Sequence, residues 1–464
     1  MTLQNLQNLR TLRTLHGEGA VPAALAQRFA EFISARIAHA PLGRSLPPSE
    51  MMPLLEGVIT ASGLGADAAW SRFVEHVSPN TVGLDSERYL AFIPVSPSAA
   101  GVWMDAAVSA ATYSAESWLE AAGVVAAENQ TLRWLADVFE MPASAGGCFM
   151  SGGSIGNLSA LAVAREQMGE RRSVAVADTA HASVFNSLRM LGLTSDPRHE
   201  MIVIATGDDG RFTGEALAAA TAGRADVGLV VAAAGSTNAG VVDDLAGLAD
   251  VAERLGAWFH VDGAYGAAGA LLPELRHLYE GLGRADSVIV DPHKWLFAPE
   301  GSCALLYKQP ALAAEVHTQH GPYIDILHGD EPLWNPSDYG YQLTRRASGM
   351  PLWFALAVHG TDAHATAIRR GIELTRLAAD RLSAVDGVSL VMEPQLGVLL
   401  FRKAGWGRVE WGAWAHRVLA DGIAFVAPST WKGEAVGRLV FMHPRTPESV
   451  IDELAETLTG TPTG

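Results

Sequence analysis

The chain has 464 residues, a formal net charge of −17 at pH 7, and hydrophobic residues at 49% of its positions. Single hydrophobic cores stop growing near about 250–300 residues, so this length predicts a large domain with smaller lobes. The acidic balance argues against nucleic acid or an anionic membrane surface as a partner. No apolar run approaches the roughly 18 residues of a membrane span, and the N-terminus lacks a signal-peptide core, so we expect a cytoplasmic protein.

The chain contains two cysteines, Cys148 and Cys303. Each lies beside or within a predicted core strand. We interpret both as small core residues in a reducing compartment, and we predict neither a disulfide nor a metal site.

The N-terminal part of the chain has a helical character. Residues 1–17 carry leucine at every third position, which indicates a helix that packs on another subunit or, as we favour, a frayed tail. Residues 22–40 and 50–78 have helical patterns that are separated by prolines. Residues 89–97 are apolar and broken by prolines, so by themselves they predict a loop packed on the core.

A longer helical stretch is predicted at residues 101–139, with five large apolar residues as its core face: Trp118, Leu119, Leu132, Trp134 and Leu135.

Short apolar runs alternate with amphipathic segments from residue 148 to residue 307, which predicts an α/β domain with a mainly parallel sheet. The predicted strands are Cys148–Met150, Val174–Ala177, Met201–Ile204, Val227–Ala233, Trp258–Val261 and Ser287–Val290. After residue 351 the pattern becomes helix, strand at 397–402, helix, strand at 438–442, and helix, which predicts a small α+β domain. We therefore divide the chain into residues 1–97, 98–350 and 351–464.

Reactive side chains follow two of these strands, at the edge where ligands bind to such sheets. Lys294 comes after the strand Ser287–Val290, between an imidazole and an indole, His293 and Trp295. Poor solvation there favours the neutral amine, the form that attacks a carbonyl. Taken alone, a surface lysine on a turn is the better interpretation of Lys294, and the motifs upstream change that balance.

Asp262 ends another strand, and the small residues Gly263 and Ala264 after it leave room for a flat group. Upstream, a glycine-rich turn at residues 151–157 leads into a helix, which is the layout of a phosphate-binding cradle. A phosphate cradle, a strand-end aspartate and a strand-end lysine together suit pyridoxal 5′-phosphate (PLP).

Three motifs carry a resemblance to a known family: Ser-Gly-Gly-Ser-x-x-Asn at 151–157, His-Val-Asp-x-Ala-Tyr-Gly at 260–266 and Asp-Pro-His-Lys-Trp at 291–295. They resemble the PLP-dependent amino-acid decarboxylases of the group that contains aromatic-L-amino-acid and glutamate decarboxylases. The resemblance runs from about residue 85 to the end. It implies the aspartate-aminotransferase fold type I and a homodimer with its active site at the subunit interface and an N-terminal clasping arm.

The resemblance also implies a set of cofactor-binding residues. Lys294 would hold PLP as a Schiff base, Asp262 would keep the pyridine nitrogen protonated, and His181 would stack on the ring. The remaining contacts are implied for Gly153, Ser154, Thr237, Ala264 and His293. The family usually has asparagine where Asp291 stands, and a carboxylate would repel the phosphate, so no role is assigned to Asp291.

For catalysis and substrate binding, the resemblance implies that Tyr323 protonates the carbanion from a mobile loop. Related enzymes with phenylalanine at that position tend toward oxidative aldehyde formation, so Tyr323 favours simple decarboxylation. The apolar segment at 92–95 would line the substrate pocket through Phe92, Ile93, Pro94 and Val95. Glu116 stands where aromatic-type enzymes carry a large apolar residue. It either binds a polar or cationic group of the substrate or is a solvated helix residue.

Arginines bear on the reaction type, because aminotransferases typically clamp the substrate carboxylate with arginine. Arg402 and Arg438 would form such a clamp or be structural ion pairs. Arg345 and Arg346 resemble the family's arginine pair, although a further family arginine is Ser348 here.

The predicted activity is PLP-dependent decarboxylation of an L-amino acid. A bulky or aromatic substrate side chain is favoured, and a polar or cationic one is the alternative. Transamination, oxidative deamination and a non-catalytic scaffold are the alternatives.

Overall fold

Two β-sheets organise the chain in the computed structural model, which describes residues 23–171, 173–194, 200–328 and 333–459. The leucine repeat at residues 1–17 lies outside these residues. The larger sheet contains β1 (Gly146–Met150), β2 (Ser173–Ala177), β3 (Glu200–Ile204), β4 (Val227–Ala233), β5 (Trp258–Asp262), β6 (Ser287–Val290) and β7 (Cys303–Tyr307). The smaller sheet contains β8 (Val388–Leu390), β9 (Val398–Lys403), β10 (Ser429–Trp431) and β11 (Glu434–Val440).

The helices in the described residues cover both faces of the larger sheet and one side of the smaller one. They are α1 (Ala23–Ala38), α2 (Pro48–Leu54), α3 (Ala66–Arg72), α4 (Ala99–Ala111), α5 (Trp118–Val138), α6 (Gly153–Gln167), α7 (Ala182–Met190), α8 (Gly214–Ala220), α9 (Leu245–Leu255), α10 (Pro310–His317), α11 (Met350–Ser383), α12 (Arg408–Ala420) and α13 (Glu448–Thr457). None of the helices in the described ranges combines the length and hydropathy needed to cross a membrane.

The larger sheet has the strand order β1-β7-β6-β5-β4-β2-β3, and β7 alone runs antiparallel to its neighbours. Its strands are near-continuous apolar runs because helices cover both faces; all five residues of β2, for example, are buried. The mainly parallel sheet and the small C-terminal domain are confirmed. The strand at 303–307 had not been delimited in the sequence analysis.

The order of the central strands positions the site. Neighbouring β5 and β6 run parallel, with Asp262 opposite Ile289. The turn after β6 therefore emerges at the same sheet edge as the end of β5. This is the carboxyl edge, where the sequence analysis placed Asp262 and Lys294.

The predicted helix at 101–139 is two helices, because Thr112 adopts a left-handed conformation (φ 53°) at the end of α4. Leu132 and Leu135 are buried as expected, whereas Leu119 is 62% exposed, so its assignment to the core was wrong. Leu119 lies in the first turn of α5, before a kink at Ala121 (φ −133°, ψ 32°), so it does not share the helical repeat of the two buried leucines.

The predicted helix at 50–78 is also interrupted. Between α2 and α3 the chain passes through Gly57, Gly63 and Gly65, all with positive φ, which is a conformation that glycine adopts readily.

The smaller sheet is antiparallel, in the order β10-β11-β9-β8, and α11 bridges it to the larger domain. Strand β11 begins four residues before the predicted start. The N-terminal segment joins this domain through a backbone hydrogen bond from the N–H of Leu90 to the carbonyl of Phe425 (2.8 Å).

Candidate active site

A cavity of about 640 Å³ opens at the carboxyl edge of the larger sheet. It brings together residues from the turn before α6, the start of α7, the ends of β4 and β5, and the turn after β6. The predicted residues among its lining are Gly153, Ser154, His181, Thr237, Asp262, Ala264, His293 and Lys294. All eight cofactor-binding residues expected from the sequence therefore surround one space.

Asp262 is held at the bottom of this cavity by two donors. The side-chain amide of Asn157 donates to Oδ2 (2.9 Å), and the backbone N–H of Ala264 donates to Oδ1 (3.1 Å). The carboxylate is largely buried, so these bonds fix its orientation. Asn157 belongs to the motif at 151–157, but sequence reasoning gave it no role.

A buried chain of hydrogen bonds continues behind Asn157. The indole of Trp258 donates to Ser287 Oγ (2.9 Å), Ser287 faces His260 Nδ1 (2.9 Å), and His260 Nε2 lies 2.9 Å from Asn157 Oδ1. Burial lowers the pKa of His260 to about 4, so its ring is neutral and donates through Nε2. This chain gives Asn157 one orientation, with its amide directed at Asp262.

Lys294 lies beside a carboxylate that the sequence analysis left unassigned. Its Nζ is 2.9 Å from Oδ2 of Asp291, and His293 Nε2 lies 3.7 Å from the same oxygen. Burial lowers the pKa of Lys294, but the charges of Asp291 and Asp262 outweigh it, and the net shift is upward. The expectation that poor solvation makes Lys294 neutral was therefore wrong for the protein without cofactor, because an opposite charge within about 4 Å favours the charged form.

The indole of Trp295 does not explain the environment of Lys294 either. Trp295 is fully buried and packs on Tyr265, with ring centroids 5.0 Å apart.

The turn before α6 has the form of an anion-binding cradle. Residues 151–154 line the cavity, and the first helical turn leaves its N–H groups without intrahelical partners. A Cβ at Gly153 would lie 2.8 Å from Asp291 Oδ2, so a side chain there would close the space. Oδ1 of Asp291 is buried and has no hydrogen-bond partner among the described residues.

A second cavity of about 460 Å³ shares His181, Thr237 and Lys294 with the first. Phe92 and Ile93 line it, which matches their expected place near the substrate. Pro94 and Val95 are buried and do not line either of these two cavities. Phe92 has a positive φ of 50°, an unfavourable conformation for a bulky residue and one that clusters at functional sites.

Arg438 fixes this segment from the small domain. Its guanidinium donates to the carbonyl oxygens of Phe92 (2.9 Å), Thr237 (2.6 Å) and Asn238 (3.2 Å). Burial lowers its pKa to about 10. Arg402, by contrast, forms an exposed ion pair with Glu434 (2.9 Å). The sequence left open whether Arg402 and Arg438 form a carboxylate clamp or structural ion pairs. In the structure, Arg402 forms a surface ion pair, and Arg438 holds backbone carbonyls at the cavity wall.

Arg345 and Arg346 lie away from both cavities. Arg345 forms a buried ion pair with Glu128 (2.5 Å), and Arg346 pairs with Asp105 (3.0 Å).

Tyr323 and Glu116 do not line either cavity. Tyr323 is 79% exposed on the loop after α10. Glu116 accepts a hydrogen bond from Ser114 (2.5 Å), and the pKa of the neighbouring Glu120 is raised, first by burial and then by the charge of Glu116. Within one chain, neither residue meets the cofactor-binding set.

The cavity suits pyridoxal phosphate in three respects: an amine at Lys294, a buried carboxylate with fixed orientation at Asp262, and a side-chain-free cradle at Gly153. The carboxylate of Asp291, which borders the cradle at Gly153, disfavours a phosphate there.

The family model for the pyridoxal-dependent decarboxylase conserved domain matches residues 48–404. The chain belongs to the pyridoxal-dependent decarboxylase family. It is 33% identical over 380 residues to an aromatic-L-amino-acid decarboxylase of Bacillus atrophaeus, covering 78% of each chain. It is 31% identical over 368 residues to an L-2,4-diaminobutyrate decarboxylase of Rhizobium meliloti (strain 1021), covering 76% of this chain and 73% of that one.

Solved structures of other proteins agree with this decarboxylase fold. The structure of Oryza sativa TDC with PLP and tryptamine superimposes with a TM-score of 0.86 at 24% identity, covering 95% of this chain and 98% of that chain. This likeness confirms the fold type predicted from the sequence, and the family match confirms the PLP cofactor. The chain is a PLP-dependent amino-acid decarboxylase, a carboxy-lyase.

Proposed function

We propose that this decarboxylase acts on an L-amino acid with a bulky, aromatic side chain. The observation that carries the proposal is the second cavity, which joins Lys294 and His181 to the apolar side chains of Phe92 and Ile93. An aromatic ring would gain buried apolar contact there. The relative from Bacillus atrophaeus, named for aromatic substrates, supports the same choice.

The residues around Lys294 receive the following proposed roles. Bound PLP supplies an electron sink that accepts the electron pair released when the carboxylate leaves as carbon dioxide. Lys294 would offer the amine for its aldehyde, and Asp262, which Asn157 orients, would be the hydrogen-bond and charge partner of the ring nitrogen. His181 would stack on the cofactor ring; its Nδ1 accepts from the N–H of Ser183 (3.2 Å), which leaves Nε2 to carry a proton.

Tyr323 is proposed to return the proton to Cα of the product amine. Its position on an exposed loop requires that the loop close over a cavity before it acts, which would also exclude water.

A homodimer is the proposed assembly. Large apolar side chains are exposed on neighbouring helices of the described chain, among them Trp103 on α4, Leu119 on α5 and Val358 on α11. Large apolar side chains exposed on packed helices are typical of subunit interfaces. The two free, buried cysteines suit a reducing compartment such as the cytoplasm. Light scattering on the purified protein tests the dimer.

A cationic side chain is the second candidate. The carboxylates of Glu116 and Glu120 lie next to each other at the start of α5, and one relative is named for diaminobutyrate. The family resemblance implies that a residue at the position of Glu116 would reach the partner subunit's pocket in a dimer. If Glu116→Gln leaves the ranking of L-amino-acid substrates unchanged, Glu116 has no part in substrate choice.

Two experiments test the proposed function. Borohydride reduction of the PLP-loaded protein followed by peptide mapping should place the label on the peptide that contains Lys294; a label on another lysine would refute the site. A panel of L-amino acids, assayed for carbon dioxide, amine, keto acid and peroxide, should give amine and carbon dioxide in equal amounts, with aromatic substrates ranked first. Keto acid or peroxide as the main product would favour the alternative reactions.

A further inference from the structure

The loop that carries Tyr323 contains a cluster of three potential metal ligands, His320, Asp325 and His328. One ligand atom from each residue lies within 4.8 Å of the other two. Nδ1 of His320 is 3.6 Å from Oδ1 of Asp325. Among the described residues, no other group of three or more histidine, cysteine, aspartate or glutamate side chains brings its potential ligand atoms this close together.

The loop is ordered by its own hydrogen bonds. The N–H groups of Ile324 and Asp325 both donate to the carbonyl of Gly321 (2.9 Å), and the N–H of Gly321 donates to the carboxylate of Asp325 (3.1 Å). These bonds form a turn with Tyr323 at its tip. The ligand set is thus partly assembled without any ion.

His328, the third potential ligand, is oriented by a residue outside the loop. Nε2 of His328 donates to Oδ1 of Asp338 (3.1 Å), and Asp338 is buried. A neutral histidine that donates through Nε2 has its lone pair on Nδ1. Metal-binding histidines in proteins commonly have this kind of carboxylate partner, which fixes the ring and raises its basicity.

The chemistry and spacing fit a divalent transition cation such as Zn²⁺. Two imidazoles and one carboxylate are typical ligands of zinc, and bond lengths of about 2.0–2.2 Å place ligands of a tetrahedral site roughly 3.4 Å apart. Closing the present spacings, which are at most 4.8 Å, to this value needs a contraction of up to about 1.4 Å, which rotation of exposed side chains can supply. The side chain of His320 is 76% exposed and that of His328 25%, so an ion can enter from solvent.

We propose that His320, Asp325 and His328 bind one divalent transition cation, and that the bound ion holds the Tyr323 loop in its open position. The expectation of no metal site rested on the two cysteines and did not consider this loop. The ion would join both ends of the segment around Tyr323, so the tyrosine could not move toward the cavity. Metal binding does not depend on the proposed function, whereas its inhibitory effect rests on the proposed role of Tyr323.

Zinc binding tests the site directly. Chelator-treated holoenzyme is titrated with Zn²⁺ by calorimetry, and Co²⁺ is used as a spectroscopic probe of the ligand geometry. We expect one site per chain in the wild type, and at least a tenfold loss of affinity in the double variant H320N/H328N. His416→Asn, which removes an exposed histidine on α12, is the matched control and should bind like the wild type. Equal affinity in the double variant would overturn the site.

Loop closure is tested separately. Zn²⁺ should slow proteolytic cleavage of residues 318–328 and inhibit decarboxylation in the wild type and in H416N, and a chelator should reverse both effects. H320N/H328N should show neither effect. Binding at the site without inhibition would leave the metal site standing and overturn the claim that the ion blocks Tyr323. Absence of any decarboxylase activity would refute the proposed function and leave the binding result unaffected.

Discussion

The carboxylate of Asp291 lies 2.9 Å from the ammonium of Lys294, three residues further along the same turn. It also borders Gly153, where the phosphate of the cofactor is proposed to bind. One acidic side chain therefore opposes cofactor binding in two ways. It keeps the attacking amine protonated, and it places a negative charge near a phosphate.

Asp291→Asn is expected to accelerate capture of PLP by the apoenzyme. Without this charge, burial dominates and the pKa of Lys294 falls, so more of the amine is neutral at a given pH. Each unit of pKa corresponds to about a tenfold change in the neutral fraction. The rate at which the visible absorption band develops, measured across pH, should shift to lower pH in the variant. Asp250→Asn, at an exposed position, is the control. If the rate profile of D291N is identical to that of the wild type, the expectation is refuted.

Tyr323→Phe should lower amine formation and raise formation of aldehyde with peroxide when dioxygen is present. The physical reason is the loss of the proton donor, a change worth on the order of 10²–10⁴-fold in rate for general acids. Amine, aldehyde and peroxide are quantified from one incubation. Unchanged amine formation would remove Tyr323 from the mechanism. Tyr341→Phe, another exposed tyrosine, serves as the control.

Arg438→Lys should reduce kcat/KM for aromatic substrates by about tenfold to a hundredfold. A lysine side chain cannot form hydrogen bonds to the carbonyl oxygens of Phe92, Thr237 and Asn238 at the same time. A hydrogen bond from a charged group contributes about 1.5–3 kcal/mol. The matched control is Arg402→Lys, since exposed ion pairs contribute only about 0–1 kcal/mol. Similar kinetics for the two variants would show that Arg438 does not position the substrate-binding segment.

His443 is expected to make the protein acid-sensitive. The N–H of Arg445 donates to its Nδ1 (3.1 Å), and its pKa is lowered from 6.5 to about 4, first by burial and then by the charge of Arg445; Asp85 opposes this shift. The folded state thus favours the neutral ring. The contribution of His443 to the free energy of unfolding is complete above pH 6.5. It is lost as the pH falls toward 4, by up to about 3 kcal/mol at roughly 1.4 kcal/mol per pKa unit.

The measurement is the melting temperature of the holoenzyme between pH 7 and pH 4. His443→Gln should lose less stability over this range than the wild type, because glutamine does not titrate. His416→Gln, at an exposed position, should follow the wild type. Parallel curves for all three proteins would show that protonation of His443 does not contribute.

Local patterns predicted much of the fold. The apolar runs that became β2, β4 and β6 were identified from hydrophobicity alone, because strands covered on both faces need continuous apolar sequence. The bounds and the antiparallel direction of β7 were not predicted, and the short β8 and β10 were missed, since strand direction and pairing depend on partners distant in the chain. Leu119 was misassigned because the kink at Ala121 separates it from the helical repeat of Leu132 and Leu135, and the sequence pattern does not show this kink.

The sequence by itself determined the family, the cofactor and the sheet edge where the reactive groups gather, because short motifs at strand ends specify backbone turns and chemical groups together. Only the tertiary structure decided the charge of Lys294 and the different roles of Arg438 and Arg402. It also decided the hydrogen bonds through Asn157 and His260 behind Asp262, and the ligand cluster around Tyr323. These depend on distances of a few ångströms between side chains. Hydrogen bonds are lost and Coulomb interactions weaken over such distances, and residue order along the chain does not encode them.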